Sequence, residues 1–316
     1  MTLNLRGRGL FVFSDPGGAK PLLALAKSLE NSLDFCKIIS DRIYPFFKDF
    51  NIVVSESVLS ARSELQKTHP DFLFVGTSYT SDIELSYVKE ANQLGITSFA
   101  FVDHWTSLKE RFILNGELIY PTVILVVDII AKNKALEAGI PQDKIEIFPN
   151  PYHNYIRNWK PADTKIDFFL QLGLNINKKK IITYAPDPLS NINGELEYGF
   201  DEISSTLTLC ESIKSLNENY LFLLKLHPNQ KKDKIQKSIS SQIFILPNDV
   251  DTNSLIYYSD VIIGFFSNFL IEADLMHTPV LRYLNEGAKK DPFKYMNIGK
   301  IVNQNTILQE IKLICL

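Results

Sequence analysis

Two short stretches in the carboxyl-terminal half of the chain carry the residues best suited to chemistry. The stretch from Ser267 to Glu272 follows an apolar run and continues as an apolar segment, a pattern typical of a buried parallel strand that leads into a helix. The free N–H groups at such a helix start attract phosphate, so Ser267 and Asn268 are predicted to bind a phosphate group. Glu272 lies more than one turn further on, where a ribose diol would satisfy its carboxylate. Plain helix capping by Ser267 and Asn268 is the alternative.

The other stretch is Lys225-Leu226-His227, which ends a predicted strand. Open α/β sheets bind ligands at the carboxyl ends of their strands, so His227 is predicted to face a ligand. An imidazole at that place can donate a hydrogen bond to the oxygens of a departing phosphate as their negative charge grows. The alternative is a structural or surface histidine.

The amino-terminal half has a comparable strand end at Asp15-Pro16-Gly17-Gly18. Gly17 and Gly18 would let a phosphate of an acceptor or donor approach the backbone, and Asp15 would be placed as a base. The loop matches neither a dinucleotide-binding fingerprint nor a P-loop, and a tight turn with a helix start explains it equally well.

Asp103 and His104 follow another predicted strand of this half. An adjacent acid and imidazole at a strand end can act as a general base, because an acceptor hydroxyl must lose its proton as it attacks. Capping by Asp103 is the alternative. Arg111 is expected to pair with an anionic acceptor or with Asp103. Asp187, at the end of a strand in the second half, is a weaker candidate.

Length and composition define the class of protein. A chain of 316 residues exceeds the usual size of one core and predicts two domains. The net charge of −3 and the scattered lysines do not fit a nucleic-acid-binding protein. Three distant cysteines, the lack of a signal peptide and the lack of a long apolar stretch predict a cytoplasmic protein without disulfides. No spacing typical of metal ligands occurs, so no metal is expected.

Apolar runs alternate with amphipathic segments along the whole chain, which predicts parallel sheets wrapped by helices. The predicted elements include strands at 97–102, 261–264 and 280–283 and helices at 19–33 and 231–240. The rhythm is interrupted at Pro149-Asn150-Pro151, where two prolines predict an irregular crossing between domains. We therefore predict an α/β protein with two doubly wound, Rossmann-like domains, residues 1–155 and 156–316, that face each other across a cleft.

On these motifs the chain resembles the GT-B class of nucleotide-sugar enzymes, in particular the clan of UDP-GlcNAc 2-epimerases, lipid A disaccharide synthase, CDP-glycerol glycerophosphotransferases and capsule-type glycosyltransferases. The resemblance rests on Asp15 to Gly18, on Pro149 to Pro151, on Lys225 to Pro228 and on Ser267 to Glu272 followed by Thr278-Pro279-Val280. It implies that His227 and Pro228 contact the phosphate of a CMP-, CDP- or UDP-linked donor, which is a co-substrate and not a bound cofactor.

The function that the resemblance implies is a metal-independent, inverting glycosyltransferase. It would move a sugar, or an alditol phosphate, to a hydroxyl of a bacterial surface glycan or glycolipid in cell-envelope polysaccharide synthesis. The first domain would hold the acceptor and the second the donor, with Asp15 or Asp103 as the base and with peripheral contact to the inner membrane as a further expectation.

Two alternatives stay open. The first is a sugar-nucleotide 2-epimerase or hydrolase of the same fold. The hydrolysing epimerases carry a motif rich in His and Arg after the first strand of the second domain, whereas this chain has Tyr184-Ala185-Pro186-Asp187 there. The second alternative is a nucleotide-binding protein without catalytic activity.

Overall fold

The computed structural model describes residues 5–78, 80–105, 107–227, 230, 235, 239 and 243–316. The chain divides into two compact units, residues 1–155 and 156–316. Each unit contains its own parallel sheet, and each sheet has its own hydrophobic core. The predicted α/β class with two Rossmann-like sheets is confirmed.

The sheet of the first unit has seven parallel strands in the order β3-β2-β1-β4-β5-β8-β9. The strands are β1 (Gly7–Phe13), β2 (Leu33–Ser40), β3 (Ser55–Glu56), β4 (Phe72–Val75), β5 (Thr97–Val102), β8 (Val123–Val126) and β9 (Ile145–Ile147). A separate antiparallel hairpin pairs β6 (Ile113–Leu114) with β7 (Glu117–Leu118). The order 3-2-1-4-5 is that of a doubly wound nucleotide-binding sheet, and its switch point lies between β1 and β4.

The helices of the first unit connect these strands. They are α1 (Pro16–Ser28), α2 (Ala61–Thr68), α3 (Ile83–Leu94) and α4 (Ile129–Glu137), with 3-10 turns at Pro45–Phe50, Glu110–Phe112 and Gln142–Lys144. Side-chain caps fix two helix starts, since Ser60 accepts from the N–H of Ser63 and Asp128 from that of Ala131. Continuous apolar runs form the central strands, because helices on the sheet bury both of their faces.

The second unit repeats this design with six parallel strands in the order β12-β11-β10-β13-β14-β15. The strands are β10 (Lys180–Ala185), β11 (Tyr220–Leu224), β12 (Ile243–Ile245), β13 (Val261–Gly264), β14 (Val280–Tyr283) and β15 (Lys300–Val302). The described helices are α6 (Lys165–Gln171), α7 (Gly194–Glu197), α8 (Glu202–Ile213), α9 (Thr252–Tyr258), α10 (Asn268–Leu275) and α11 (Ile307–Cys315), with a 3-10 turn at Leu189–Ile192. The switch point of this sheet lies between β10 and β13.

Sequence patterns located most strands but fewer helices. The strands predicted at Thr97–Val102, Val261–Gly264 and Val280–Tyr283 are observed with those bounds. The first helix was predicted at 19–33, which is wrong at both ends. It begins at Pro16, because proline is well suited to the first turn of a helix, and it ends at Ser28. A helix predicted at 231–240 lies largely outside the described residues.

The predicted irregular crossing at Pro149-Asn150-Pro151 is also corrected. Helix α5 runs from Pro151 to Arg157, so that Pro151 is its first residue and not a break. The side chain of Asn150 accepts a hydrogen bond from the N–H of Tyr152 at 3.0 Å, as helix-capping residues do. Pro151 therefore starts a helix here, because the first turn needs no N–H from it.

In the part of the chain that the structure describes, no helix is both long and apolar enough to cross a bilayer. The three cysteines are free thiols.

Close backbone packing at the second switch point gives a test of this fold. A Cβ at Gly264 would lie 2.8 Å from the carbonyl oxygen of Ala185 on the paired strand, so one of the strands would have to shift. We expect Gly264→Ala to lower the free energy of unfolding by about 1–3 kcal/mol in a urea titration. Gly287→Ala is the matched control, since nothing lies within 4 Å of its Cβ position, and it should change stability by less than about 0.5 kcal/mol. Equal losses of stability in Gly264→Ala and Gly287→Ala would contradict close packing at Gly264.

Candidate functional site

Two loops meet at the switch point of the first sheet. One follows β1 and leads into α1, and the other follows β4. A Cβ at Gly18 would lie 3.0 Å from the Cα of Gly76, so the two backbones approach as closely as glycine allows. Gly18 thus lets the first turn of α1 pack against the loop after β4, whereas its predicted phosphate contact stays a prediction.

Glu84, in the first turn of α3, ties these loops together. Its Oε1 accepts the N–H of Ser14 at 3.0 Å, and its Oε2 accepts the hydroxyl of Ser78 at 2.7 Å. The carboxyl group is almost completely buried. Burial raises the pKa of Glu84 to about 7, although its hydrogen bonds with Ser78 and Ser14 oppose the shift. Glu84 therefore changes its charge near neutral pH while it holds both loops.

Asp15 occupies the N-cap position of α1 but does not cap it, because its side chain makes no hydrogen bond to the helix start. Its Oδ1 instead accepts from Nη1 of Arg42 at 2.6 Å and from the hydroxyl of Thr80 at 2.7 Å. The same oxygen thus receives two donors. A carboxylate held in this way is better suited to positioning a loop than to removing a proton from an acceptor.

Gly17 is the point at which Asp103 reaches helix α1. A Cβ on Gly17 would lie 2.2 Å from Oδ2 of Asp103, so the carboxylate occupies the space that a side chain would need. The other oxygen of Asp103 pairs with Nη1 of Arg111 at 3.3 Å. Arg111 also donates to the carbonyl and hydroxyl of Thr77 at 2.8 and 3.1 Å. The predicted residues Gly17 and Asp103 are therefore brought together, and a carboxylate stands where a phosphate would approach Gly17.

His104 lies next to this cluster and is partly buried. Desolvation lowers the pKa of His104, Arg111 and Lys134 add to the shift, and Asp103 opposes it. The imidazole is consequently neutral near pH 7 and able to accept a proton. Of the candidate bases of the first unit, His104 combines a neutral imidazole with an adjacent carboxylate.

The second switch point has a similar carboxylate between its loops. Asp187 follows β10, and its Oδ2 accepts the N–H of Phe266, in the loop after β13, at 3.2 Å. Burial raises the pKa of Asp187 to about 6, against the effect of backbone hydrogen bonds from Phe266 and Phe265. Asp187, the weaker candidate in the sequence analysis, thus fixes the loop that leads into helix α10.

Ser267 is the N-cap residue of α10, and Asn268 is its first residue. The hydroxyl of Ser267 makes no capping hydrogen bond, and among the described residues its Oγ is buried without a hydrogen-bond partner. Plain capping therefore does not explain this serine. A buried hydroxyl beside the free N–H groups of a helix start is a combination that suits an anion. Glu272 lies more than one turn inside the helix and is buried, as the sequence predicted.

His227 follows β11, the neighbour of β10, and is exposed at the same carboxyl edge as Ser267. Its backbone N–H donates to the side-chain oxygen of Gln230 at 2.7 Å, and its carbonyl accepts the N–H of Gln230 at 2.9 Å. Desolvation and, to a smaller extent, Lys225 lower the pKa of His227. The imidazole is thus neutral near pH 7, and a neutral imidazole carries one N–H. Pro228 lies outside the described residues.

Lys225 is a residue whose role the sequence analysis missed. Its ammonium group lies 5.5 Å from the centre of the Phe269 ring, in the first turn of α10. Its backbone N–H donates to the carbonyl of Tyr184, which extends the pairing of β11 with β10. A cation is therefore placed between the loop of His227 and the start of α10. The signal in the sequence that could have indicated this role is the position of the lysine at the end of an apolar strand.

Glu84 was missed as well. It lies in an amphipathic segment where a carboxylate looks like an ordinary exposed helical residue, and no local pattern shows that loops from two strands converge on it. No group of three or more His, Cys, Asp or Glu side chains within the described ranges is arranged to hold a metal ion.

Comparison with known proteins places the second unit in context. Residues 160–312 match the family model described as CDP-glycerol:poly(glycerophosphate) glycerophosphotransferase. The matched span contains His227, Ser267, Asn268 and Glu272. A search of proteins with curated descriptions gave no significant match.

Solved structures are similar over both units. UDP-GlcNAc 2-epimerase from Methanocaldococcus jannaschii is 14% identical with a TM-score of 0.67, and the match covers 98% of this chain and 93% of that one. The Neisseria meningitidis UDP-GlcNAc 2-epimerase bound to UDP-GlcNAc is 16% identical with a TM-score of 0.63, covering 98% and 91%. Anabaena Alr3699/HepE in complex with UDP-glucose is 14% identical with a TM-score of 0.63, covering 97% and 91%. The resemblance to GT-B-type nucleotide-sugar enzymes is thus confirmed, and at these identities the solved structures establish the fold.

The buried carboxyl of Glu84 predicts a pH-dependent stability. Its pKa of about 7 in the fold exceeds the ordinary value of 4.5, so the folded state binds the proton more tightly. The resulting stabilisation is complete below about pH 4.5 and is lost as the pH rises through 7. The Glu84→Gln variant lacks this titration. The melting temperature of the variant minus that of the native chain should therefore be larger at pH 8 than at pH 5.

Between these two pH values, the difference in free energy of unfolding between the variant and the native chain should change by about 3 kcal/mol at most. Glu137→Gln, which replaces an exposed carboxylate of α4, is the control and should give the same difference at both pH values. A Glu84→Gln difference that does not change with pH would show that the carboxyl does not titrate in this range.

Proposed function

We propose that this protein is a metal-independent transferase that moves an alditol phosphate or a sugar from a nucleotide-activated donor to a hydroxyl of a surface glycan or glycolipid. The observation that carries the proposal is the start of helix α10. The Ser267 hydroxyl, which is buried with no hydrogen-bond partner among the described residues, the helix N-terminus and the nearby Lys225 lie within the span that matches the glycerophosphotransferase family. Each of these features favours a phosphate.

The second unit would hold the donor. Ser267 and Asn268 would bind its phosphates through the helix start, and His227 would donate a hydrogen bond to an oxygen of the departing phosphate. Glu272 would hold the ribose from inside the same helix. The family match favours a CDP-linked donor, whereas the solved neighbours with UDP-GlcNAc or UDP-glucose favour a UDP-linked one. Lys225 would balance part of the phosphate charge, so the site needs no metal for that purpose.

The reaction is a substitution by the acceptor oxygen. With a CDP-alditol donor, the oxygen forms a bond to the phosphorus that carries the alditol and the phosphoanhydride bond breaks, so that CMP leaves with the bonding electron pair. With a nucleotide sugar, the oxygen bonds to the anomeric carbon, the bond from that carbon to the phosphate oxygen breaks, and the nucleotide leaves with the bonding electron pair. In both cases the acceptor hydroxyl loses a proton to a base.

The first unit would hold the acceptor and supply that base. Asp15 and Asp103 were the two candidates, and Asp15 receives two strong donors on one oxygen. We favour His104 as the proton acceptor because its lowered pKa keeps it neutral, with Asp103 and Arg111 beside it. Gly17 and Gly18 would then act by allowing these loops to pack closely. Peripheral contact with the inner membrane belongs to the same proposal, because a glycolipid acceptor is held there.

The second candidate is a UDP-GlcNAc 2-epimerase, which the solved neighbours favour. Against it stands the segment after β10. It reads Tyr184-Ala185-Pro186-Asp187, and Asp187 is occupied in holding the backbone of Phe266. The segment thus supplies a structural carboxylate where the hydrolysing epimerases have their His- and Arg-rich motif.

Phosphorus NMR of donor turnover distinguishes the candidates. The chain is incubated in EDTA with CDP-glycerol, a CMP-linked sugar, UDP-glucose or UDP-GlcNAc, each with and without a bacterial glycolipid fraction. The proposal predicts release of a nucleotide from one donor only when the acceptor is present. Release of UDP from UDP-GlcNAc without an acceptor would establish the epimerase instead. A requirement for magnesium would contradict the metal-independent mechanism.

The base is tested in the same assay. His104→Ala should lower the acceptor-dependent rate by about 10²–10⁴-fold with little change in donor affinity, because general-base catalysis contributes on that scale. His69→Ala, at an exposed histidine after α2, is the matched control and should leave the rate unchanged. An equal rate in His104→Ala and the native chain would exclude His104 as the base.

A further inference from the structure

A cavity of about 530 Å³ lies in the second unit away from the candidate donor residues. It is formed by helix α6, by the loop that leads into β10 and by Asp260 just before β13. These are the amino-terminal ends of the strands. Because β10 is six residues long, the cavity is separated from the carboxyl edge by roughly 17 Å of strand. Its size is in the range of small-molecule sites.

The charge of the lining is strongly asymmetric. Lys165, Lys178, Lys179 and Lys180 contribute four ammonium groups against the single carboxylate of Asp260, so the lining carries a net charge of +3. That carboxylate is already bound, since its Oδ2 accepts the N–H of Ile181 at 2.7 Å and lies 3.3 Å from Nζ of Lys165. It therefore offsets Lys165 and leaves three cations.

The remaining lysines are not neutralised by neighbours. In the described ranges, none of Lys178, Lys179 and Lys180 forms an ion pair with a carboxylate. Asp167 and Asp163 near the start of α6 accept hydrogen bonds from Thr164 and Gln171, and neither carboxylate lines the cavity. The lining itself therefore has an excess of positive charge.

The wall opposite these charges is apolar. Ile166 and Leu170 lie one turn apart on α6 with 61% and 56% of their surface exposed, and Leu174 and Ile176 also line the cavity. An anion alone would leave this aliphatic surface in water, whereas an anion with an aliphatic portion would cover it. The lysine charges and the aliphatic wall together favour an amphipathic ligand.

We propose that this cavity is a second binding site, which takes a phosphate ester that carries an aliphatic group. The lysines bind the phosphate as point charges, and Ile166 and Leu170 contact the aliphatic portion. Such an ester is either a soluble metabolite or the headgroup region of an anionic lipid. The chemistry at the site is the same in both cases.

Calorimetric titration of the full chain with hexyl phosphate tests the site. Hexyl phosphate should bind at least tenfold more tightly than inorganic phosphate, and Lys178→Gln/Lys179→Gln should weaken its binding at least tenfold. Leu170→Ser should reduce the affinity for hexyl phosphate to that for inorganic phosphate. The matched control is Lys289→Gln/Lys290→Gln, an exposed adjacent pair of the same unit, which should have no effect.

Three results would overturn the proposal. They are equal affinities for hexyl phosphate and inorganic phosphate, binding that is unaffected by Lys178→Gln/Lys179→Gln, and loss of binding in His227→Ala, which would place the ligand at the donor edge. Co-sedimentation with phosphatidylglycerol vesicles then identifies the source. Vesicle binding lost in the lysine variant supports the site with a lipid headgroup as its ligand, and hexyl phosphate binding without vesicle binding supports it with a soluble ester.

Discussion

A buried carboxylate between two loops is the interaction on which both halves of this structure depend. In the first unit Glu84 holds the loops after β1 and β4, and in the second Asp187 joins the loops after β10 and β13. Each pair of loops borders the point where the strand order reverses. Burial raises the pKa of Glu84 to about 7 and that of Asp187 to about 6. The energetic cost of burying each carboxyl is offset by hydrogen bonds from the N–H of Ser14 and the hydroxyl of Ser78 to Glu84, and from the N–H of Phe266 to Asp187. These hydrogen bonds fix the positions of the loops.

These fixed loops determine what each edge can do chemically. In the second unit the loop held by Asp187 presents Ser267 and the start of α10, with Lys225 close to its first turn. In the first unit the loops bring Asp103 onto Gly17 and next to Arg111. One edge thus combines groups that suit a phosphate, and the other combines a carboxylate, a guanidinium group and a neutral imidazole. This difference is the physical basis for our proposal that the second unit holds the donor and the first unit holds the acceptor.

Much of the fold was predictable from the sequence, because fully buried strands such as Val261–Gly264 appear as apolar runs that tertiary contacts do not alter. Helix α5 was not, because Pro151 looks like a break until it stands at a helix start. The candidate residues at strand ends were found for a similar reason: parallel strands bring their ends to one edge. Glu84 and the role of Lys225 were not found, since each depends on a contact between loops distant in sequence. Whether Asp15 acts as a base could not be judged either, because its partner Arg42 comes from another loop.

The central claim is that the start of α10 binds the phosphates of a nucleotide without a metal. Thermal stabilisation by CMP, CDP, UDP, GDP and dTDP, each in EDTA and in magnesium, tests this claim in the native chain, His227→Ala and Ser267→Ala. A nucleotide at a hundred times its dissociation constant stabilises by about 2.7 kcal/mol, which is readily measured. The account predicts stabilisation by a cytidine or uridine nucleotide that is independent of magnesium and reduced in both variants but not in His277→Ala. Stabilisation that persists in both variants, or none by any nucleotide, would contradict it.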